Sequence, residues 1–272
     1  MPSWTVDARG RLDFDDVTAL NVRLMAGSVA VLASDDPPSL VVTELKGRPL
    51  QVTQEGGELT ISYESLSWEG LLGFLKPRHD SVVVTITVPA DCPIQLGVLS
   101  ASAIVSGLRS GAALKGMSGD VTLDGVAGNV EAETMSGEIA ARDIDGEVRF
   151  KSMSGGLVLA DGWLDRLEAN TMSGQIAADV TLRAEGDVHV STMSGDVTLR
   201  LPEGSDARVR LQSTSGAVRS EFESLRAVKA PASHTVSGNV GAGTGRVSVS
   251  TMSGSVTLLR RLRREGKESE TR

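Results

Sequence analysis

Apolar and polar residues alternate in short runs along most of this chain, and the runs recur about every 20 residues. Alignment on the glycine of each Ser-Gly pair places eight glycines in register, at spacings of 18, 18, 19, 21, 21, 22 and 16 residues. Two positions after each glycine stands a branched aliphatic residue. The pairs are Gly119 and Val121, Gly137 and Ile139, Gly155 and Leu157, Gly174 and Ile176, Gly195 and Val197, Gly216 and Val218, Gly238 and Val240, and Gly254 and Val256. Alternation with a period of two predicts a β-strand after each glycine.

A second strand is predicted before each Ser-Gly pair except one. Its inward positions are Val130 with Ala132, Val148 with Phe150, Leu167 with Ala169, Val188 with Val190, Val209 with Leu211, and Val247 with Val249. Before Gly238 this pattern is missing and Pro231 stands in the expected strand, where proline cannot donate a ladder hydrogen bond. We therefore expect residues 220–234 to leave the repeat.

Two short strands and two turns cannot bury an apolar face alone, but identical units stacked about 4.8 Å apart bury a continuous narrow core. The pattern predicts an all-β fold, a single-chain β-solenoid of about eight rungs of 16–22 residues over 101–259. A helical solenoid is excluded, because the repeats show no apolar period of 3.6 residues. The 30 glycines and the aromatic content of only 3% fit a thin core of small side chains.

Residues 1–100 carry strand patterns at 20–25, 28–33, 40–45, 50–54, 58–63 and 81–88, separated by Gly, Pro and Asp clusters that are typical of turns. The segment from Ala26 to Ser34 repeats the rung pattern, with Val29 and Val31 two and four positions after Gly27. We predict a β-rich N-terminal capping region, a wider antiparallel sheet on the same stack, which would protect the end of the stack from polymerisation. The charged residues 260–272 are predicted to be a disordered tail.

The combination of Ser-Gly-x-Val-x-Leu rungs, the N-terminal text "VVVTITVPADCPIQL" at 82–96 and a basic C-terminal segment resembles the bacterial "putative adhesin" β-strand-repeat proteins, domain-of-unknown-function family 4097. The resemblance covers nearly the whole chain. It implies an association with the bacterial cell envelope and its stress responses. It supplies no enzymatic activity and no catalytic residues.

Charge and cysteine content narrow the function further. A formal net charge of −8 argues against general nucleic-acid binding, which needs a basic face. The single cysteine, Cys92, excludes an internal disulfide. No secretory signal and no apolar run of about 18 residues is visible, so we expect no transmembrane segment. We expect a cytoplasmic protein, either free or bound at the periphery of the membrane.

The sequence predicts no catalytic residue, no cofactor and no metal ligands. The repeated serine is a turn residue in every rung, which indicates geometry rather than nucleophilic chemistry. Three carboxylates follow repeat glycines, but Gly156, Gln175 and Ala217 interrupt the series and break the spacing of a calcium-binding array. His189 is expected at the surface because it lies between inward Val188 and Val190.

Residues 65–79 form the most apolar irregular stretch. Its candidate binding residues are Trp68, Leu71, Leu72, Phe74, Leu75, Lys76 and Arg78. One interpretation is a lip that contacts a membrane surface or a protein partner, with aromatic groups inserted and basic groups near phosphates. The other, which we favour, is a hydrophobic plug over the first rung.

Six of the eight methionines stand directly before a Ser-Gly pair. They are Met117, Met135, Met153, Met172, Met193 and Met252. The inward positions before and after this corner have opposite parity, so the chain must break its alternation within Met-Ser-Gly. We expect glycine at positive φ to turn methionine inward, where a flexible thioether fills an irregular gap. The alternative is a surface stripe that binds a partner or a soft metal ion such as Cu(I).

Taken together, these patterns predict a non-enzymatic β-solenoid that acts as a binding or scaffold module, with an unidentified protein or membrane surface as its partner. The alternative is a structural protein that assembles end to end, so the oligomeric state is either a monomer or an end-to-end oligomer. A polysaccharide-active enzyme on a β-helix is a third class, and the repeats do not supply the clustered charged residues that it requires.

Overall fold

The computed structural model describes residues 2–63, 80–230 and 233–262, and these residues form twenty β-strands and no helix. The N-terminal strands are β1 (Ser3–Val6), β2 (Gly10–Asp13), β3 (Ala19–Ala33), β4 (Ser39–Lys46), β5 (Leu50–Glu55), β6 (Glu58–Tyr63) and β7 (Ser81–Val88). The central strands are β8 (Ile94–Ser106), β9 (Ala112–Gly116), β10 (Val121–Thr134), β11 (Ile139–Ser152), β12 (Leu157–Thr171), β13 (Ile176–Thr192) and β14 (Val197–Pro202). The C-terminal strands are β15 (Ala207–Ser213), β16 (Val218–Ser220), β17 (Arg226–Ala230), β18 (Ser233–Val240), β19 (Gly245–Thr251) and β20 (Val256–Arg261).

The strands form one hydrogen-bonded sheet of twenty strands, in which the two halves of each long strand follow different series of partners. We call these two series sheet 1 and sheet 2. Sheet 1 runs in the order β1, β5, β6, β3, β8, β9, β10, β11, β12, β13, β19, β15, β18, β17. Sheet 2 runs in the order β2, β4, β7, β3, β8, β10, β11, β12, β13, β14, β20, β16. The inward side chains of both sheets form one continuous hydrophobic core from Phe14 to Leu258. This is the predicted all-β stack of rungs, because inward aliphatics recur at the predicted positions.

The N-terminal end of each sheet is antiparallel and the remainder is mostly parallel. Strand β3 pairs in parallel with β8 over most of its length, and on its other edge it carries β6 and β7. Beyond these, β5 and β1 extend sheet 1 and β4 and β2 extend sheet 2 in antiparallel fashion. The prediction of an antiparallel sheet continuous with the stack is therefore confirmed, and Val29 and Val31 are buried as the rung pattern requires.

The C-terminal rung does not follow chain order. Strand β19 pairs in parallel with β13 on one side and with β15 on the other, and β20 lies between β14 and β16. The last rung of the chain is thus inserted between two rungs that precede it in sequence. The sequence repeat cannot show this order, because all rungs share the same pattern of inward residues.

The segment 220–234 leaves the repeat as predicted. It leads into the antiparallel pair β17 and β18, and β18 pairs with β15 at the end of sheet 1. The assignment of Gly238 as a rung corner was wrong, because β18 runs antiparallel to β15 and Gly238 faces Val209 in the middle of that pairing.

Two predicted elements concern residues outside the described ranges. The candidate lip or plug at 65–79 lies wholly outside them, as do residues 263–272 of the predicted tail. Arg260 and Arg261, which were assigned to that tail, belong to β20.

Candidate functional site: the methionine corner

The corner of each rung is a four-residue unit that breaks the inward–outward alternation. In the rung of β12 and β13, Thr171 and Gly174 are buried, whereas Met172 and Ser173 between them are exposed. Two consecutive residues therefore point outward, and the parity break expected from the sequence is confirmed. The residues that turn inward at this break are Thr171 and Gly174, whereas Met172 points outward.

At five corners, those of Gly155, Gly174, Gly195, Gly216 and Gly254, a hydroxyl group on the inner side accepts a hydrogen bond from the corner glycine. Thr171 Oγ1 accepts a hydrogen bond of 3.0 Å from the backbone N–H of Gly174. The same bond joins Ser152 to Gly155, Thr192 to Gly195, Ser213 to Gly216 and Thr251 to Gly254, at 2.6–3.0 Å. This satisfies a backbone donor that would otherwise be buried without a partner. A Ser or Thr three residues before each of these glycines was readable in the sequence, and our sequence reasoning missed it.

The serine of each corner joins neighbouring rungs. Ser136 N–H donates to the carbonyl oxygen of Met117 at 2.9 Å, and the Ser136 hydroxyl donates to the same oxygen at 3.2 Å. The paired bonds repeat up the stack, from Ser154 to Met135, Ser173 to Met153, Ser194 to Met172, Ser253 to Met193 and Ser215 to Met252. The main chain of methionine is thus fixed by its neighbours, while its side chain takes no part in the hydrogen bonding.

Glycine is required at the corner by the close approach of neighbouring rungs. A Cβ atom placed on Gly174 would lie 1.8 Å from the carbonyl oxygen of Gly155. The corresponding distance is 1.9 Å at Gly195, Gly216 and Gly254. We expected glycine to provide positive φ at every corner. This holds at Gly119 and Gly137, whose φ values are +133° and +117°. The glycines of the other corners, Gly155, Gly174, Gly195, Gly216 and Gly254, do not have positive φ.

The six methionines lie on the surface, so the expectation that they fill the core was wrong. Their side chains are exposed by 47%, 49%, 53%, 49%, 49% and 57% in the order Met117, Met135, Met153, Met172, Met193, Met252. The physical reason is that the inward space at the corner is already taken by the residue before methionine, which is Gly116 at Met117 and a Thr or Ser at the other five, and by the corner glycine. The surface-stripe alternative describes these residues correctly.

The six methionines lie at neighbouring corners of the folded stack, although in sequence order a corner without methionine separates the last two. Thr214 stands at the corner that follows Met193 along the chain. In the stack, however, Ser253 binds the Met193 carbonyl and Ser215 binds the Met252 carbonyl, which places Met252 between Met193 and Thr214. We call the uninterrupted series from Met117 to Met252 the methionine ladder. Five steps of about 4.8 Å give it a length of about 24 Å.

The lower and upper halves of the ladder have different polar neighbours. Two residues before the lower three methionines stand Lys115, Glu133 and Lys151, and both lysines pair with Glu133, at 3.5 and 3.8 Å. At the equivalent positions of the upper half stand Asn170, Ser191 and Ser250. On the other side of the corner, Asp120 and Glu138 flank the lower half and Asp196 flanks the upper half.

Other chemistry-bearing side chains are placed apart from this ladder. His189 and His234 are exposed, and His79 lies outside the described ranges. Cys92 is buried, and burial raises the pKa of its thiol to about 11. Within the described ranges, no group of three or more His, Cys, Asp or Glu side chains could hold a metal ion. In the same part of the chain, no helix has the length and apolar character to cross a membrane.

A buried polar cluster lies in the N-terminal part of the molecule. Asp80 accepts hydrogen bonds from the Arg48 side chain at 2.8 Å and from the Arg48 backbone N–H at 3.1 Å. The Arg48 guanidinium lies 5.6 Å from the centre of the Tyr63 ring, whose buried hydroxyl has no hydrogen-bond partner among the residues that the structure describes. Burial, assisted by the Asp80 charge, raises the pKa of Tyr63 to about 12.

An isolated exposed tryptophan lies on a different part of the surface. Trp163 is 54% exposed and pairs in register with Asp145 and Thr181, outside the Met-Ser-Gly corners. Arg183 bridges Asp145 and Asp165, and Arg261 binds Asp179 at 2.7 Å and Thr181 at 2.6 Å. These bonds hold rungs together around Trp163, so the charged groups there are engaged with one another.

Comparison with known proteins identifies the family. The sequence profile described as Toastrack DUF4097 matches residues 17–259, which is most of the chain, and the chain belongs to this family. No curated protein matches the chain significantly.

Solved structures resemble this chain at low sequence identity. A crystal structure of a "putative adhesin" from Bacteroides fragilis has 12% identity and a TM-score of 0.50, with 93% of this chain and 96% of that chain covered. With the same coverage of both chains, a "putative lipid binding protein" from Parabacteroides distasonis has 17% identity and a TM-score of 0.43. A "putative adhesin" from Parabacteroides distasonis has 10% identity and a TM-score of 0.41, also with 93% of this chain and 96% of that chain covered.

Proposed function

We propose that this member of the Toastrack DUF4097 family is a non-enzymatic binding and scaffold module, and that a protein partner with an elongated apolar surface docks along the methionine ladder. The observation that carries the proposal is the arrangement of the ladder itself. Six apolar side chains, each about half exposed, stand in one line on a main chain that is fixed by hydrogen bonds. Contiguous apolar surface of this kind marks interaction sites more often than scattered exposed residues do.

The chemistry of methionine suits this role. Its unbranched side chain adapts to different partner shapes, and methionines are frequent on surfaces that bind apolar partners. The rigid main chain lowers the entropy that is lost on binding, because only the side chains need to be ordered. The lysine–glutamate pairs beside the lower half provide a polar rim, which is the usual border of an apolar contact.

The test compares the ladder with a matched exposed apolar residue elsewhere on the surface. Proteins captured from native cells by the full chain are compared with those captured by the Met153→Ser/Met172→Ser variant and by the Trp163→Ser variant. A partner of the ladder is lost with the first variant and kept with the second. To establish direct contact, a photoreactive residue placed at position 153 or 172 must form a crosslink to the same partner. Capture that is unchanged by the methionine substitutions would contradict the proposal.

The alternative function, assembly end to end, makes a different demand on the stack. It requires the terminal strands to accept a second copy. In the structure, one end of sheet 1 is covered by the antiparallel strands β17 and β18, and strand β16 at the end of sheet 2 has only three residues. Short and covered edges are the devices by which proteins avoid such pairing. Sedimentation velocity over a range of protein concentrations distinguishes the two, since a persistent monomer would exclude the filament.

The link to the bacterial envelope and the predicted cytoplasmic, membrane-peripheral location belong to the same proposal and rest on the family resemblance and the sequence. Cell fractionation tests the location directly. Binding to anionic vesicles, with and without the Trp68→Ser/Phe74→Ser substitutions, tests whether residues 65–79 contribute to it.

A further inference from the structure

We propose that the upper half of the methionine ladder, Met172, Met193 and Met252, binds a soft monovalent metal ion, of which Cu(I) is the biological example. The proposal goes beyond apolar docking, because it depends on the sulfur atoms and not on the apolar character of the side chains. The observations that carry it are the spatial contiguity of the ladder, its exposure and its charged neighbours.

Contiguity is the first argument. The C-terminal rung enters the stack next to the rung of Met193, and it brings Met252 beside Met193 while Thr214 lies beyond. A metal ion needs two or three ligands from neighbouring positions, and an interrupted column would not provide them. In sequence order the upper series would be Met172, Met193, Thr214, with the third thioether lost.

The spacing of the rungs suits two sulfur ligands on one ion. Neighbouring corners are separated by about 4.8 Å, the distance between hydrogen-bonded strands. Sulfur–metal bonds are about 2.3 Å long in zinc–thiolate sites, so two sulfurs on opposite sides of an ion lie about 4.6 Å apart. Unbranched methionine side chains on adjacent rungs can therefore meet at one ion without movement of the main chain. Thioethers are soft ligands, and they select Cu(I) over the hard divalent cations.

Uncharged neighbours at the positions two residues before methionine distinguish the upper half from the lower half. A cation beside Met117 or Met153 would face the ammonium groups of Lys115 and Lys151, which stand two residues before these methionines. The equivalent neighbours of the upper half are the uncharged Asn170, Ser191 and Ser250. The lower half also carries Glu133, which pairs with both lysines, and it is flanked by Asp120 and Glu138, whereas Asp196 flanks the upper half. A cation at the lower half would therefore have to compete with existing ion pairs. This difference makes the lower half a matched control within the same chain.

The thiol of Cys92 is the one thiol in the sequence, and its thiolate would compete with thioethers for a soft ion. It is 1% exposed, and burial raises the pKa of the thiol to about 11, so the thiolate that binds metal is scarce at neutral pH. The Cys92→Ala background removes this competitor from the experiment altogether.

The experiment uses Ag(I), a redox-inert ion with the same preference for thioethers, added as nitrate in chloride-free buffer. Its binding to the full chain with Cys92→Ala is followed by titration calorimetry and by the NMR signals of methionine methyl groups labelled with ¹³C. We expect the signals of Met172, Met193 and Met252 to shift together. Met193→Leu, which keeps an apolar side chain but removes the central sulfur, is expected to weaken binding by about tenfold or more.

The control variant is Met135→Leu, the central residue of the lower half, and it is expected to leave the tightest binding unchanged. The affinity is also expected to be constant between about pH 5 and pH 8, because a thioether does not bind protons in this range, unlike histidine. Binding that survives Met193→Leu, that falls equally with Met135→Leu, or that is absent altogether would overturn the proposal. Docking of a protein partner would survive Met193→Leu and fail with Met193→Ser, so the failure of either proposal is distinguishable from the failure of the other.

Discussion

The antiparallel N-terminal strands and the parallel stack of corners are stabilised in different ways. Among strands β1–β7, specific large contacts dominate, such as the Trp4–Phe14 edge contact with ring centres 5.4 Å apart and the buried Arg48–Asp80 pair. In the stack the same small contacts recur from rung to rung. Each corner glycine packs against a carbonyl group, corner serines bind the methionine carbonyl of a neighbouring rung, and at five corners a hydroxyl group accepts from the glycine N–H. The N-terminal contacts are each made once, whereas the contacts of the stack are made by the backbone and by small residues.

This difference explains why the outward side chains of the stack are free to carry function. Because the corner is fixed without the methionine side chain, that position can be chosen for binding. In the N-terminal strands the large side chains are needed for the fold itself. The predictions below test this contrast, from the largest expected effect to the smallest.

The stack should be most sensitive at its glycines. Gly174→Ala places a Cβ atom 1.8 Å from the carbonyl oxygen of Gly155, a backbone atom of the neighbouring rung that cannot shift away without disturbing that rung. We therefore expect a loss of about 4 kcal/mol or more in the free energy of unfolding, or failure to fold. In the N-terminal strands, Gly10→Ala meets no atom within 4 Å and is expected to change stability by less than about 0.5 kcal/mol. Denaturant unfolding of both variants gives the comparison. Equal effects would show that close approach is not the reason for the corner glycine.

The N-terminal strands should be most sensitive at their buried ion pair. Asp80→Ala removes the carboxylate, only 3% exposed, that binds Arg48, and we expect a loss of about 3 kcal/mol because two hydrogen bonds to a buried charged acceptor are lost. The control is Asp13→Ala, which removes the exposed partner of Arg11 at 2.7 Å and should cost less than about 1 kcal/mol. Thermal and denaturant unfolding measure both. A small effect of Asp80→Ala would mean that this cluster is not a main support of the region.

Alkaline pH should weaken the N-terminal part through two buried groups. Burial raises the pKa of Cys92 from 9.0 to about 11 and, with Asp80, that of Tyr63 from 10.0 to about 12. The folded state thus favours the neutral forms, and their contribution is complete below pH 9 and is lost as the pH rises from about 9 to 12. Each group contributes on the order of 2 kcal/mol over this range. Tyr63→Phe should reduce the loss of stability between pH 10 and 12 without destabilising the protein at pH 7, because within the described part of the chain the Tyr63 hydroxyl has no hydrogen-bond partner to lose.

The hydroxyl groups of the corners should have the smallest single effect. Thr171→Val removes the acceptor of the Gly174 N–H and leaves that buried donor unpaired, at a cost of about 1–2 kcal/mol. Thr198→Val, at an outward position of β14, is expected to be nearly neutral. A chemical unfolding series of the two variants separates the roles, and equal stabilities would contradict the capping role of Thr171.

The sequence predicted the fold well at the positions where the repeat places aliphatic side chains in the core. Val121, Ile139 and their equivalents are buried as expected except for Val218, which is half-buried. The parity break at the corner is present, and the excursion at 220–234 leaves the stack. These features could be predicted because each depends on the local alternation of apolar and polar residues.

What the sequence could not predict depends on contacts between rungs. The direction of the methionines follows from the hydroxyl group that occupies the inner side of the corner, and that role of Thr171 becomes visible only with its partner Gly174 in place. The reason for glycine is the carbonyl group of a neighbouring rung, which a single repeat does not contain. Gly238 carries the rung pattern yet lies in an antiparallel strand, because the pattern of inward residues does not encode strand direction.

The order of the rungs is the central claim, because it makes the methionine ladder continuous. Disulfide formation tests it directly in the Cys92→Ala background. A disulfide requires Cα atoms about 4.4–6.8 Å apart, which neighbouring corners at about 4.8 Å satisfy and corners two rungs apart, at about 9.6 Å, do not. The account predicts that the pair Met193→Cys and Met252→Cys forms a disulfide under mild oxidation, whereas the pair Met193→Cys and Thr214→Cys does not. The reverse result would show that the rungs follow sequence order, and it would contradict both the inserted C-terminal rung and the uninterrupted ladder.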